Sequence, residues 1–198
     1  MKKLIVTFLL MISVLTIVNA QFTKIGGGLT YGTGFHFNNV TTSPSEAELY
    51  RGPFAGIFLT GIYELSLPIH IAPSFTYFLP RTNKSTQATS AESTRVSAMM
   101  FDLNGHYVFN SLDRFEFYGL AGFNMTFAKI KWLGTNPSSG SDNALGLNVG
   151  AGTYMKITEQ FDIYGEAKYI FSKYDQFMLN VGLLLNIDWM KKHENSDM

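Results

Sequence analysis

The sequence predicts an all-β fold, an eight-stranded antiparallel up-and-down transmembrane β-barrel. Three observations predict it. Between clusters of Gly, Pro, Asn and Ser, apolar residues recur with a period of two, not 3.6. Most of the alternating segments run ten residues or longer, whereas strands of soluble proteins usually run ~5–6 and a tilted strand crossing a bilayer needs ~9–11. The connections read alternately long and short, as in membrane barrels with long outer loops and tight turns at the other end.

The composition agrees. Of 198 residues, 46% are hydrophobic and 15% aromatic, with 17 Phe, 10 Tyr and 18 Gly, and only 15% are charged. A disordered chain would be charged and poor in aromatics. Cysteine is absent, which excludes disulfide frameworks, thiolate metal sites and cysteine nucleophiles. Lys and Arg number 15, as do Asp and Glu, so no basic excess points to nucleic acid.

The chain opens MKKLIVTFLLMISVLTIVNA. Lys2 and Lys3 form a positive start, Leu4 to Val18 an apolar run, and Val18-Asn19-Ala20 a small-x-small cleavage site, the pattern of a secretory signal peptide cut after Ala20. The expected organisation is therefore a signal peptide over 1–20, a barrel over 21–189 and a polar tail over 190–198. No later run is long and apolar enough to read as a spanning helix.

The predicted strands are Phe22–Phe35, Pro53–Glu64, Ile69–Pro80, Arg95–Phe109, Phe115–Phe127, Leu145–Ile157, Phe161–Ser172 and Phe177–Trp189. In the first, Ile25, Leu29, Tyr31 and Phe35 line up opposite Lys24. The second is ambiguous, because Phe54, Phe58 and Ile62 sit on its less apolar side. The fourth sets Met99, Phe101, Leu103, Tyr107 and Phe109 against Asp102, Asn104 and His106. The fifth sets Phe115, Phe117, Phe123, Met125 and Phe127 against Glu116, Asn124 and Thr126. The sixth opposes Leu145, Leu147, Val149, Met155 and Ile157 to Asn148, Tyr154 and Lys156. In the seventh, Phe161, Ile163, Ala167, Tyr169 and Phe171 oppose Asp162, Tyr164, Glu166 and Lys168. In the last, Phe177 to Trp189 alternates with Asn180, Gly182, Asn186 and Asp188.

The apolar register is read as free of charge, with Lys24, Glu64, Asp102, Glu116, Lys156, Asp162, Glu166, Lys168 and Asp188 all in the other. That second register mixes polar residues with many glycines and with Phe54, Phe58, Phe78, Leu120 and Leu184. The mixture suits a narrow filled lumen, because an eight-stranded barrel is only just wide enough for side chains. A charge facing lipid at the midplane costs ~2–4 kcal/mol. Aromatic girdles are expected at Tyr63, Tyr107, Phe109, Phe115, Phe161 and Trp189, and at Tyr31, Phe35, Tyr77, Phe127, Trp132 and Phe171.

Two stretches carry a resemblance. Gly150-Ala-Gly-Thr-Tyr-Met-Lys-Ile-Thr-Glu-Gln-Phe-Asp-Ile-Tyr-Gly-Glu-Ala-Lys-Tyr resembles the penultimate hairpin of small outer-membrane β-barrels. Arg51-Gly-Pro-Phe-Ala-Gly-Ile-Phe followed by Glu64-Leu-Ser-Leu-Pro-Ile-His-Ile-Ala-Pro is similar to the second hairpin of the outer-membrane β-barrel domain proteins of Bacteroidetes, the PorT-like group that also takes in OmpA-like and OmpX-like barrels. The resemblance implies an outer membrane protein of a Gram-negative cell, in the lipid bilayer, inserted by the barrel-assembly machinery. Such chains often end on an aromatic residue, whereas here Trp189 is followed by the tail Met190–Met198.

Candidate chemistry is sparse, and no catalytic, cofactor-binding or metal-binding residue is assigned. None of His36, His70, His106 and His193 is paired at metal-ligand spacing. His106 shares a face with Asp102 and Asn104, which reads either as a base oriented by a carboxylate or as a self-satisfied polar layer; the layer is preferred. Glu166, Lys168, Lys156 and Asp162 are expected to form a charge-paired interior. The leading expectation is a non-enzymatic role in the cell envelope, structural or through loops 36–52, 81–94 and 133–144, with no cofactor and no porin-scale channel. One alternative is an exported soluble lipocalin-like ligand-binding barrel. A second is an outer-membrane lipid-modifying enzyme using His36 with Ser43, Ser45 and Glu46.

Overall fold

A computed structural model describes residues 22–35, 51–66, 68–84, 93–133 and 137–187. The predicted signal peptide, the tail 190–198, Trp189, His36, His193, Ser43, Ser45 and Glu46 lie outside these residues. Eight strands form: β1 Phe22–Gly32, β2 Ala55–Ser66, β3 Ile69–Lys84, β4 Ser93–Leu112, β5 Phe115–Trp132, β6 Ser138–Lys156, β7 Phe161–Ser172 and β8 Gln176–Asn186. Each pairs antiparallel with its sequence neighbours, and β1 pairs with β8 to close the barrel. Closure leaves no strand edge unpaired, which a sheet in hydrocarbon requires because lipid offers no hydrogen bonds.

The apolar register points outward. Leu29, Phe123, Leu145 and Val181 are 61–76% exposed, and Val149 and Leu183 are exposed with them. Asp102, Glu166 and Lys168 are buried. A soluble ligand carrier needs the reverse, with polar groups outside and an apolar cavity inside. In β2, where the sequence is ambiguous, Ile57 and Leu59 face out while Phe58 and Ile62 are buried; Phe54, expected in the inward register, instead lies before the strand, exposed and packed against the outward Tyr31 ring with centroids 5.6 Å apart. Tyr31, Tyr77 and Phe171 at the loop end, and Tyr107, Phe109, Phe115 and Phe161 at the terminal end, are outward aromatics.

Four further expectations need correction. Phe35 is not a girdle residue: it is buried against Tyr174, with ring centroids 4.8 Å apart. Trp132 also turns inward, packing on the buried cluster of which Phe35 is part. Most of the loop expected over 133–144 is strand, since β6 begins at Ser138 and pairs with β5 up to Trp132. Loop-like composition in a Ser- and Gly-rich run did not prevent pairing, because the ladder needs only backbone groups. Finally, the outward register does carry charge. Arg95, the first residue of the predicted fourth strand, alternates with Met99 and is exposed; Lys129 and Lys131 continue the outward register of the lengthened β5.

The last three corrections share one cause. β4, β5 and β6 have 20, 18 and 19 residues, whereas β1, β2, β7 and β8 have 11 or 12. A tilted crossing uses ~9–11, so the tall wall continues well past the lipid at the loop end. Outward charge is unpenalised there.

Candidate functional site

Along the inward register, the strands read apolar, polar, apolar. β4 runs Val96, Ala98 and Met100, then Asp102, Asn104 and His106, then Val108. β5 runs Tyr118 and Leu120, then Asn124 and Thr126, then Ala128 and Ile130. β7 runs Tyr164, then Glu166 and Lys168, then Ile170. Stacked in register, these triplets build a polar layer between two apolar plugs. Phe35, Phe78, Met100, Ile130 and Met178 fill the loop end, while Phe58, Ile62, Tyr118, Leu120 and Leu184 fill the terminal end.

The polar layer is a network spanning the lumen. Asp102 accepts hydrogen bonds from Lys168 Nζ at 3.0 Å, Asn124 Nδ2 at 2.7 Å, Asn148 Nδ2 at 2.9 Å and Ser74 Oγ at 3.2 Å. Lys168 also lies 3.4 Å from Glu166. Glu166 accepts from the hydroxyls of Tyr164 and Tyr118 and from Asn180 Nδ2, whose amide oxygen takes the Thr30 hydroxyl at 2.6 Å. One buried cation thus meets two buried carboxylates, and each carboxylate is further held by neutral donors. That satisfies the condition under which charge survives in a low-dielectric interior.

Close packing makes this possible. A Cβ on Gly152 would sit 2.3 Å from the Tyr118 hydroxyl, and one on Gly122 would sit 2.4 Å from Asn104 Oδ1. Glycine at these points leaves space that the ring and the amide occupy.

Next to the layer lies an aromatic stack. The rings of His106 and Tyr118 are stacked with centroids 4.2 Å apart, and Tyr118 stacks on Tyr154 at 4.7 Å. His106 Nδ1 and the Tyr154 hydroxyl share a hydrogen bond of 2.5 Å, with the donor set by the imidazole tautomer. Asp102 does not orient His106: its oxygens are taken by Lys168 and the asparagines, and the carboxylate nearest the ring is Glu166, 3.7 Å from Nε2. His70 lies across the β3–β4 ladder from His106, buried, with neither ring nitrogen hydrogen-bonded among the described residues.

The expected charge-paired interior forms with one exchange of partner. Glu166 and Lys168 pair as expected, but Asp162 takes Lys24, at 2.9 Å, and Lys156 is exposed although it faces Asp162 across the ladder. Lys24 also reaches Glu116 at 3.9 Å and lies 5.1 Å over the Tyr154 ring. Asp102 and Lys24 are members that sequence spacing did not assign. Their charge and register were visible; the trans-lumen contacts were not.

At the loop end, Tyr174 in the β7–β8 turn caps the apolar plug. Its hydroxyl donates to Asp142, which also pairs with Lys173. Burial, together with the Asp142 carboxylate, pushes the Tyr174 hydroxyl above its ordinary range. No group of three or more metal-ligating side chains occurs among the described residues.

Comparison with known proteins places this architecture. The family model described as "Outer membrane protein beta-barrel domain" matches residues 4–186. Among solved structures, Ail, the attachment invasion locus protein of Yersinia pestis, solved in complex with the heparin analogue sucrose octasulfate, is similar at 17% identity. Its TM-score is 0.50, over 81% of this chain and 97% of that one. A major outer membrane protein of Thermus thermophilus is similar at 14% identity, with a TM-score of 0.52 over 81% of this chain and 98% of that one. At such identities the likeness concerns the fold alone. No curated protein sequence matches the chain.

Proposed function

The chain belongs to the outer membrane protein β-barrel domain family, and on that premise we propose that it is a closed-lumen barrel with a structural or surface-interaction role and no catalysis. It resides in the outer membrane, with its apolar wall against lipid. Both ends of the barrel chain sit on the periplasmic side, and the hairpins joining β1–β2, β3–β4, β5–β6 and β7–β8 reach outward. Export through a signal peptide cut after Ala20 and insertion by the barrel-assembly machinery complete the reading.

The observation that carries it is the filled lumen. Asp102, Lys168, Glu166, Asn124, Asn148 and Asn180 hold one another across the interior, between two apolar plugs. Such an interior leaves the loop end as the functional surface. The same packing argues against acid–base chemistry at His106, which is buried and engaged by Tyr154 and Tyr118.

Planar-bilayer recording of the purified protein tests this reading, with no stable porin-scale conductance step expected. Large, stable pores would overturn it. Membrane fractionation checks residence: recovery without detergent in the soluble periplasmic fraction would favour the carrier alternative.

A further inference from the structure

The outward face of the tall wall changes character over three consecutive cross-strand rows. The first row is Tyr77, Met99, Phe127 and Asn143, joined by the β3–β4, β4–β5 and β5–β6 ladders. Next toward the loop end come Ser97, Lys129 and Ser141; then Thr82, Arg95, Lys131 and Ser139. Three cations therefore sit side by side on two adjacent strands, immediately beyond a largely apolar row at lipid level. Ser97 lies against Lys129, its hydroxyl donating to the Lys129 carbonyl at 3.5 Å.

Among the described residues, no carboxylate lies within ion-pair distance of Arg95, Lys129 or Lys131. Asp142, the nearest carboxylate along the ladder, is engaged by Lys173 and Tyr174. A groove of about 400 Å³ opens on this face, with Tyr77, Met99 and Phe127 on its apolar side and Ser97, Lys129, Ser141 and the carboxylate of Asp142, already neutralised by Lys173, on its polar side.

We propose that this groove and the Arg95–Lys129–Lys131 band form a binding site for an anionic, phosphate-bearing amphiphile of the outer leaflet. An acyl chain would lie along Tyr77, Met99 and Phe127, where hydrocarbon already meets the wall. Its phosphate would sit one to two rows higher, where the cations and the hydroxyls of Ser139 and Ser141 supply charge-assisted donors. A neutral lipid satisfies the apolar part but leaves the cations unmatched. A free phosphate satisfies the cations but gains nothing from the groove. The proposal rests on the placement of the barrel in the outer membrane, not on the closed lumen.

Native mass spectrometry of the full chain in detergent micelles, doped with dioleoyl phosphatidic acid and dioleoyl phosphatidylcholine, tests it. Retention of phosphatidic acid in preference to phosphatidylcholine is expected. Near an anionic surface each Lys or Arg contributes about fivefold in affinity, so R95Q/K129Q/K131Q should weaken retention roughly a hundredfold by the same rule. R114Q/K156Q, which removes cations at the opposite end of the barrel, should leave it unchanged. Equal retention of the two lipids would overturn the proposal, as would a triple variant that behaves like the wild type or displacement by excess inorganic phosphate, which would mark a free-anion site. Heat-dependent gel mobility verifies that each variant is folded, and fractionation separately reports any failure of the membrane placement itself.

Discussion

Lys168 and Lys129 are the same residue type on strands of one barrel, and they are handled in opposite ways. Lys168 is buried at 1% exposure and held by Asp102 and Glu166. Lys129 stands outside, beyond the lipid-level row, with no carboxylate partner among the described residues. Position on the wall decides the difference. A cation turned inward must bring its counter-charges with it, because burial removes water and the low dielectric enlarges every unpaired charge. A cation turned outward above the lipid keeps its water and remains free to meet something that is not protein. Inside, charge serves structure; outside, it is left available.

The sharpest break of that contrast is Lys168→Met. It leaves Asp102 and Glu166 buried without their cation, and removing one partner of a buried pair costs about 3–5 kcal/mol. Urea unfolding of the micelle-folded barrel should register that loss, and K168M/D102N should recover part of it. Glu166→Ala comes next, at about 3 kcal/mol, because Lys168 keeps Asp102 while the hydroxyls of Tyr118 and Tyr164 lose their acceptor. Its band on heat-dependent gels should convert at lower temperature, with no conductance gained. Unchanged melting would contradict a paired interior. Gly152→Ala drives a methyl against Tyr118 and should destabilise by about 1–3 kcal/mol through overpacking, read as a lower urea midpoint. Lys129→Gln and Lys131→Gln should each change stability by less than about 0.5 kcal/mol. A large loss from either would mean that the outward cations have a structural partner and that the contrast with Lys168 fails.

Much of this was legible in the sequence, because period-two parity is a local property. Strand number, the outward apolar register and the burial of Asp102, Glu166 and Lys168 follow from which residues alternate. Strand length was less legible. Ser138 to Asp142 reads as loop because polar outward residues and small inward ones erase the alternation, yet those residues extend the β5–β6 ladder. The lumen contacts were least legible. Parity places Lys156, Asp162, Glu166 and Lys168 on one face but does not say which will meet. That depends on cross-strand register, set by turns and by irregularities such as the shifts between Phe22 and Lys24 and between Val108 and Asn110. Lys24, the partner of Asp162, comes from the other end of the chain. Phe35 and Trp132 were misplaced for a related reason: beyond the lipid, an aromatic gains more by capping the interior than by facing water.

The central claim is that, over the height of the lipid, the wall turns its apolar register outward and its charges inward. With no native cysteine, single cysteines can replace Phe123, Val149 and Leu183 and carry nitroxide labels in bilayer-embedded protein, with Ser141 as a reference beyond the lipid-level row. Labels at the first three positions should collide freely with oxygen and be shielded from a water-soluble nickel complex, with the ratio falling at Ser141. Nitroxides at Phe123, Val149 and Leu183 that are immobile and shielded from both would place those side chains in an interior core and contradict the claim.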